Sequence, residues 1–576
     1  MREWEYSWGA RPLGDGSWRF RLWAPGQERL ALRLGGDDLA MQPMPDGWFS
    51  GEARADEGDC YGFVLDDGSV VADPASRQQA ADVHGLSRLV APRRPAFWRG
   101  RPWEEAVIYE LHLGTFTEAG TCRAAIAYLD DLADLGFTAI ELMPVAHFGG
   151  QQGWGYDGVL PYAPHPAYGN PDDLRALVAA AHARGLMVLL DVVYNHFGPE
   201  GNYLHAYAPE FFDASRHTPW GAGIDYTRAP VRRFFIENAF YWLSEFGFDG
   251  LRLDAIDQIR DPSQPELPVE LGEELPRALP DRPVYLTTED NRNVTHLHEP
   301  RGKEPPLYRG EWNDDFHNAA HVAVTGESEG YYRPFAEGSW RLLGRALAEG
   351  FALQGENGRG HPSAHLPPAS FVDFLQNHDQ IGNRAFGERL GTLIAPEMLA
   401  ALNAILLLSP HIPLLFMGDE YGETRPFLFF AGFEGDLGAA VTRGRRGEFA
   451  DFSGFATSEV PDPIAPATFE ASRLDRRRRD TPAGRAALAR MRELLTLRAR
   501  HVTPYLSGTD AGAGRLVTAE NGVIAVDWRL NGANLALRAS LSERAAPLPT
   551  AEGELFHQYG QEDAPPLVRH YLQVLK

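Results

Sequence analysis

Hydrophobic and polar positions change rhythm twice along the 576-residue chain. Over the first hundred residues short apolar runs, at 17–23, 30–34 and 61–65, alternate with the turns Gly35-Gly36-Asp37 and Asp66-Asp67-Gly68. Strands so short, with turns so frequent, predict a small immunoglobulin-like β-sandwich. The Pro-rich stretch Ala91-Pro92-Arg93-Arg94-Pro95 reads as a linker. From about residue 105 strand-like and helical patterns take turns: strands at 106–111, 138–142, 186–193 and 250–254, helices at 124–135, 172–184 and 231–246. Further strand-like runs follow at 284–288, 371–375 and 413–416. Strands that alternate with helices form a parallel sheet, and seven or eight repeats favour a closed (β/α)8 TIM-type barrel of the α/β class. A helix over 485–500 precedes strand-like runs at 523–528 and 535–537. The expected division is an N-terminal sandwich over 1–95, a catalytic barrel with loop insertions over 96–500, and a small C-terminal β domain over 501–576.

Composition narrows the function classes. Lysine and arginine total 54 against 79 acidic residues, a formal charge of −25. A chain this acidic gains nothing from phosphate backbones or an anionic membrane surface, so neither nucleic acid nor membrane is an expected partner. The 44% hydrophobic content, with 13 Trp, 20 Tyr and 31 Phe, excludes a disordered or fibrous chain. Two cysteines, Cys60 and Cys122, exclude a disulfide framework and fit a reducing compartment. The longest apolar run, 402–417, is interrupted by Asn403, Pro410, His411 and Pro413, whereas a bilayer span needs about 20 apolar residues. The start, MREWEYSW, lacks the apolar core of a signal peptide. The expectation is a soluble cytoplasmic protein.

In a barrel the reactive groups sit where strands pass into βα loops. Four predicted strand ends carry polar clusters: Asp191, Asn195 and His196 in VLLDVVYNH; Arg252 and Asp254 in FDGLRLDAID; Glu289 in VYLTTED; His378 and Asp379 in FLQNHDQ. Residues two apart on a strand share a face, so Arg252 and Asp254 point together and Leu251 and Leu253 point away. With the leucines toward the helices, Arg252 and Asp254 face the barrel axis. An arginine beside it keeps Asp254 ionised, as a nucleophile requires. Glu289 and Asp290 lie on opposite faces, and alternation alone does not say which faces the axis. One ionised and one protonated carboxyl, roughly 5–5.5 Å apart, are what retaining glycosidic cleavage needs. Like-charge neighbours such as Asp379 raise the acid's pKa. Abundant aromatic residues suit sugars, and Tyr156 in GWGYDG is the candidate stacking platform.

These four segments resemble the characteristic regions of the α-amylase superfamily, the retaining α-glucan enzymes on a (β/α)8 barrel. Longer stretches are similar to one of its families, the maltooligosyltrehalose trehalohydrolases: SWGARPLGDGSWRFRLWAP, GWGYDGVLPYAPHPAYGNPDDLRALV, VVYNHFGPEGNYL, EWNDDFHNAAHVAVTGESEGYYRPF and RPFLFF…GRRGEF. The resemblance implies Asp254 as nucleophile, Glu289 as general acid/base and Asp379 as transition-state stabiliser. It implies substrate-binding roles for Tyr156, Asp157, His196, Arg252, Asp257, Asp314, Asp315, His378 and Gln380. The implied reaction cuts the α-1,4 bond next to the terminal trehalose of maltooligosyltrehalose, releasing trehalose and a shorter maltooligosaccharide. The implied partners are maltooligosyltrehalose and related α-glucans, with no cofactor and no metal. Two departures stand out: Thr288 where alanine is commoner, and Gly432-Phe433 where an acidic residue is commoner.

Plainer roles compete at several positions. Asp191 alone is as well explained by support of Arg252 as by catalysis. His317 and His321 lie four apart, a zinc-compatible spacing, but HNAAH lacks the glutamate of a metalloprotease. His296 and His298 read as loop residues and Arg476–Arg479 as a solvated run. Cys60 and Cys122 read as packing residues. Asn195 suggests calcium, but nothing else assembles an oxygen cage. The rival functions are a glucan branching enzyme, which shares the barrel and the three carboxyls, and a catalytically silent glycan-binding scaffold.

Overall fold

The computed structural model describes residues 4–449 and 459–575, except 219, 220, 303, 543, 545 and 563. At its centre eight parallel strands close a barrel: β1 (Ile108–Leu111), β2 (Ala139–Leu142), β3 (Met187–Val192), β4 (Gly250–Leu253), β5 (Tyr285–Thr288), β6 (Gly310–Trp312), β7 (Phe371–Asp373) and β8 (Ile412–Phe416). Each pairs with its sequence neighbour, and β1 pairs with β8. Alternation sorts the side chains. Ile108, Ala139, Met187, Leu189, Ile412 and Leu414 form one apolar cluster, while Tyr109, Ile140, Leu190, Leu251 and Leu253 belong to the larger cluster outside. The inward parity of β1 to β5 ends in charge: Glu110, Glu141, Asp191, Arg252 and then Asp254 and Glu289. One strand face thus supplies an apolar floor at the N-terminal end and a charged mouth at the other.

Strand β6 has no counterpart in the sequence reading. It is three residues long, and Glu311 breaks the apolar run. That carboxylate shares the parity of Thr288 rather than the lumen's. It accepts from the Thr288 hydroxyl and, at 2.7 Å, from the Asp290 backbone N–H. His298 lies 3.1 Å from it and is fully buried, a structural partner rather than a plain loop residue. The helix expected over 124–135 is two helices, Cys122–Ile126 and Leu129–Leu135. They are separated at Tyr128, whose ring lies 3.5 Å under the Arg476 guanidinium. The arginine run corrects likewise. Arg476 donates to the Phe116 carbonyl at 2.7 Å, Arg478 to the Gly422 carbonyl, and Arg479 pairs with Asp131, so only Arg477 is a solvated cation. The helix Ala229–Tyr241 widens into a π-turn, Trp242–Phe246, which buries Trp242 and Phe246 before Gly247 ends it in the left-handed region.

In front of the barrel two antiparallel sheets face each other: one of Arg11–Pro12, Ser17–Trp23, Trp48–Arg54 and Gln42–Pro43, the other of Asp37–Ala40, Ala31–Leu34, Cys60–Val64, Val70–Val71 and Ser87–Arg88. They dock on the helix Ala229–Tyr241. Trp8 packs 5.0 Å from Phe234 and donates to the Pro230 carbonyl, and the Glu237 carboxylate accepts from the Ser7 and Trp8 backbone N–H groups. Behind the barrel, after the helix Pro482–His501, lies a five-stranded antiparallel sheet (Gly514–Glu520, Val523–Leu530, Ala533–Ser540, Ala564–Val574, Glu554–Gln561). Cys60 and Cys122 are unpaired. No helix among the described residues is long and apolar enough to cross a membrane.

Candidate active site

The mouth of the barrel is organised by one guanidinium. Arg252, on β4 and fully buried, donates from Nη1 to Asp191 at 2.6 Å and to Asp254 at 2.9 Å, and from Nη2 to Glu289 at 2.6 Å. Its central carbon Cζ lies 4.1 Å from the centroid of the Trp312 ring. A planar fork of fixed donors suits this site where a lysine point charge does not. Asp254 and Glu289, from adjacent strand ends, are therefore drawn to the two terminal nitrogens of one side chain. Asp191 stands beneath, also accepting from the Tyr156 hydroxyl at 2.5 Å, so it supports Arg252. Burial pushes the Asp191 carboxyl up to about 6 even against that cation.

The ambiguity between Glu289 and Asp290 is resolved by their partners. Glu289 faces the axis and also accepts from the Ala255 backbone N–H at 3.0 Å. Asp290 turns outward to Arg292 at 2.6 Å. Burial raises the Glu289 pKa well above the carboxylate range. Asp254, Asp314 and Asp379 raise it further, and Arg252 opposes them. Desolvation thus leads, with like charge adding to it. Asp254 accepts from Asn195 Nδ2 at 2.9 Å, and its backbone N–H donates to Val192. Ala255, the next residue, is held at φ 40°, a left-handed conformation uncommon outside glycine and a recurrent mark of sites where geometry is imposed.

The remaining candidates divide. Asp379 opens the short helix His378–Gly382, capped by the Asn377 side chain, and accepts from Asn383 at 2.8 Å. Asp314 accepts from Gln380 at 2.9 Å; burial and the Asp379 charge lift it to about 7. His378 stacks on Tyr156 with ring centroids 5.1 Å apart. His196 lies 3.0 Å from the Tyr156 carbonyl, and burial lowers its pKa, favouring neutral imidazole. Tyr156 owes its place to Gly155: at φ 101°, a Cβ there would sit 2.1 Å from the Pro144 carbonyl oxygen. Asp157 follows in the same loop, raised by burial to about 6.

Asp257 and Asp315 do not join this cluster. Asp257, in the turn after β4, accepts from Gln258 at 2.7 Å and faces Asp290 and Arg292. Asp315 accepts from Arg359 at 3.0 Å, Asn293 at 2.8 Å and the Leu353 N–H at 2.7 Å, so this buried carboxylate ties two loops together. Asp315→Ala is expected to lower unfolding stability by about 2 kcal/mol, the cost of leaving the buried Asn293 and Leu353 donors and the half-buried Arg359 without their acceptor, while changing kcat less than twofold. Urea denaturation alongside steady-state kinetics checks both.

Two carboxylates beside the site escaped the sequence reading. Glu110 and Glu141 point inward from β1 and β2, and Glu110 binds His378 at 2.5 Å. Their signal was a glutamate two places beyond an inward apolar residue, in IYEL and AIEL. His317 and His321 serve packing: His317 bonds the Leu375 carbonyl, and His321 stacks on Tyr332 and pairs with Glu327. Among the described residues no group of three or more His, Cys, Asp or Glu side chains is placed to hold a metal ion.

The alpha amylase catalytic-domain family profile matches residues 108–216. Over 503 residues the chain is 42% identical to the malto-oligosyltrehalose trehalohydrolase of Deinococcus radiodurans, covering 85% of this chain and 82% of that one. The chain belongs to the malto-oligosyltrehalose trehalohydrolase family. Like that family it is a glycoside hydrolase on an alpha-amylase-type barrel. Its fold matches a crystal structure from Salmonella typhimurium assigned to the alpha amylases with TM-score 0.96 and 51% identity, over 99% of this chain and 100% of that one. A 1,4-alpha-glucan branching enzyme of Streptomyces avermitilis is 36% identical over 271 residues, 41% of this chain and 45% of that enzyme. The trehalohydrolase likeness therefore spans most of the chain, and the branching-enzyme likeness covers less than half of it.

Proposed function

We propose that the protein hydrolyses the α-1,4 bond next to the terminal trehalose of maltooligosyltrehalose with retention of configuration. The observation that carries this is the sharing of Arg252 by Asp254 and Glu289. Asp254 attacks the anomeric carbon of the glucose on the non-trehalose side. Glu289, held protonated by burial, gives its proton to the oxygen that leaves with trehalose. Glu289, now a carboxylate, takes a proton from water, which opens the glycosyl–Asp254 ester and restores both groups. Asp379 places negative charge beside the sugar, stabilising the oxocarbenium-like transition state, and Asp314, lifted to about 7 by burial and that charge, serves as a hydrogen-bonding partner. His196, His378 and Tyr156 shape the pocket around that ring.

The name of the Deinococcus relative supports the substrate. The same reading places the reaction in trehalose biosynthesis in the cytoplasm, supported by two unpaired cysteines. It takes residues 1–95 as a sandwich that shapes the cleft, 96–500 as the catalytic barrel and 501–576 as a supporting β domain.

Incubation with maltooligosyltrehalose is expected to yield trehalose plus a maltooligosaccharide. The new reducing end appears first as the α-anomer by proton NMR, before mutarotation. A β-anomer first would contradict retention. New α-1,6 branches on amylose without free trehalose would assign the chain to branching instead.

A further inference from the structure

Glu110 is a charged residue in the wall of the barrel, 1% exposed, whose ion-pair partner is His378. One carboxylate oxygen accepts from His378 Nδ1 at 2.5 Å and the other from the His378 backbone N–H at 3.1 Å. The ring held in this way stacks on Tyr156 and meets Trp154 edge-on at 5.5 Å. A buried backbone N–H needs only a neutral acceptor, whereas a buried carboxylate costs several kcal/mol unless a cation faces it. The choice of glutamate here therefore concerns the ring. Resting on the assignment of the reaction to Asp254, Glu289 and Asp379, we propose that Glu110 is a positioning residue acting through His378. It fixes the ring as an Nδ1–H donor, leaves Nε2 as the nitrogen that meets the sugar, and pairs the ring with a carboxylate that favours its imidazolium form.

The surroundings agree. Burial opposes the imidazolium, as does Arg252 from β4, but the charge and hydrogen bond of Glu110 from β1 and the charge of Asp379 from the ring's own helix outweigh them, and the net direction is upward. His112, in the turn after β1, is held neutral by burial and adds no charge here. The Tyr156 ring, packed against His378, stays a neutral phenol because burial and the Asp191 charge push its pKa up. A cation at this position offsets the charge of its helix neighbour Asp379. It also donates to a sugar hydroxyl, which a neutral ring held by Nδ1–H cannot do from Nε2.

A double-mutant cycle with a ring titration tests this. Glu110→Gln is expected to lower kcat/KM at least about tenfold and to bring its alkaline limb to lower pH. In a His378→Asn background the same change costs less than about twofold, because the residue it acts through is gone. Full additivity of the two losses would overturn the proposal. The His378 Cε1 resonance, identified by its loss in His378→Asn, should titrate at least one pH unit lower in Glu110→Gln; an unmoved titration would also overturn it. If Glu110→Gln does not fold, Glu110→Asp, which retracts the carboxylate by one methylene, is read in the same cycle. Kinetics use any α-1,4-glucan that the wild type cleaves. A wild type that cleaves none defeats the functional assignment, and the ring titration, which needs no substrate, still decides the role of Glu110.

Discussion

Asp254→Ala is expected to lower kcat on maltooligosyltrehalose by about 10⁴-fold or more while leaving the melting temperature near the wild-type value. The size follows from the chemistry: without a nucleophile the glycosyl-enzyme cannot form, and what remains is binding and electrostatic stabilisation of an unassisted reaction. The stability follows from Arg252. Its Nη1 keeps Asp191 at 2.6 Å and its Nη2 keeps Glu289 at 2.6 Å, so removal of Asp254 strands no cation. Added azide sharpens the test. In Asp254→Ala a small anion fits where the carboxylate stood and attacks a maltosyl fluoride from that face, giving a β-glycosyl azide. In Glu289→Ala the Asp254 ester still forms and azide opens it from the other side, giving the α-product. Wild-type turnover by Asp254→Ala, or the reverse pairing of azide products, would remove the assigned roles.

How much of this was legible beforehand depended on period and burial. Two-residue alternation in GLRLDA placed Arg252 and Asp254 together without coordinates, because a strand leaves a side chain only two directions. The same rule stopped at Glu289 and Asp290, where the strand ends after Thr288. Their orientation is set by partners off the strand: Arg252, distant in sequence, for one, and for the other Arg292 in the following loop and Glu311 of the next strand. Strand β6 was invisible because three residues with a central glutamate carry no hydrophobic period; its place follows from pairing with β5 and β7. The arginine run misled for the opposite reason. Four adjacent cations look solvated, yet three of them reach carbonyls or a carboxylate on other segments.

Thr288 shows a third case. It differs from the commoner alanine, and the reason lies outside the local sequence: its hydroxyl donates to Glu311, which also holds the Asp290 N–H. The residues on both sides of Glu289 are thus clamped by one buried carboxyl, whose pKa burial raises well above the ordinary range. No single-segment pattern can report a contact between strand ends that only closure of the barrel creates.

Arg252→Ala should be the most damaging single change to folding and catalysis together. The guanidinium faces Asp191, Asp254 and Glu289. Its loss leaves buried carboxyls without their cation, at a cost of about 3–5 kcal/mol at pH 7, with kcat reduced by about 10³-fold as the nucleophile and acid lose their common anchor. Arg252→Lys recovers only part of either loss. A point charge reaches one carboxylate rather than three, and it does not stack on Trp312 as the planar fork does at 4.1 Å. The pH dependence gives the cause away. Asp191 sits at about 6 and Glu289 well above the carboxylate range even with Arg252 present, and without it both rise further. Their unfolded values lie near 4. Between the unfolded and folded values the folded state binds more protons, so stability falls as pH rises and grows as pH falls. The deficit of Arg252→Ala against wild type is therefore expected to shrink between pH 8 and pH 5, read as the difference in urea midpoints. A constant or widening deficit on acidification would mean that the loss is one of packing rather than of charge.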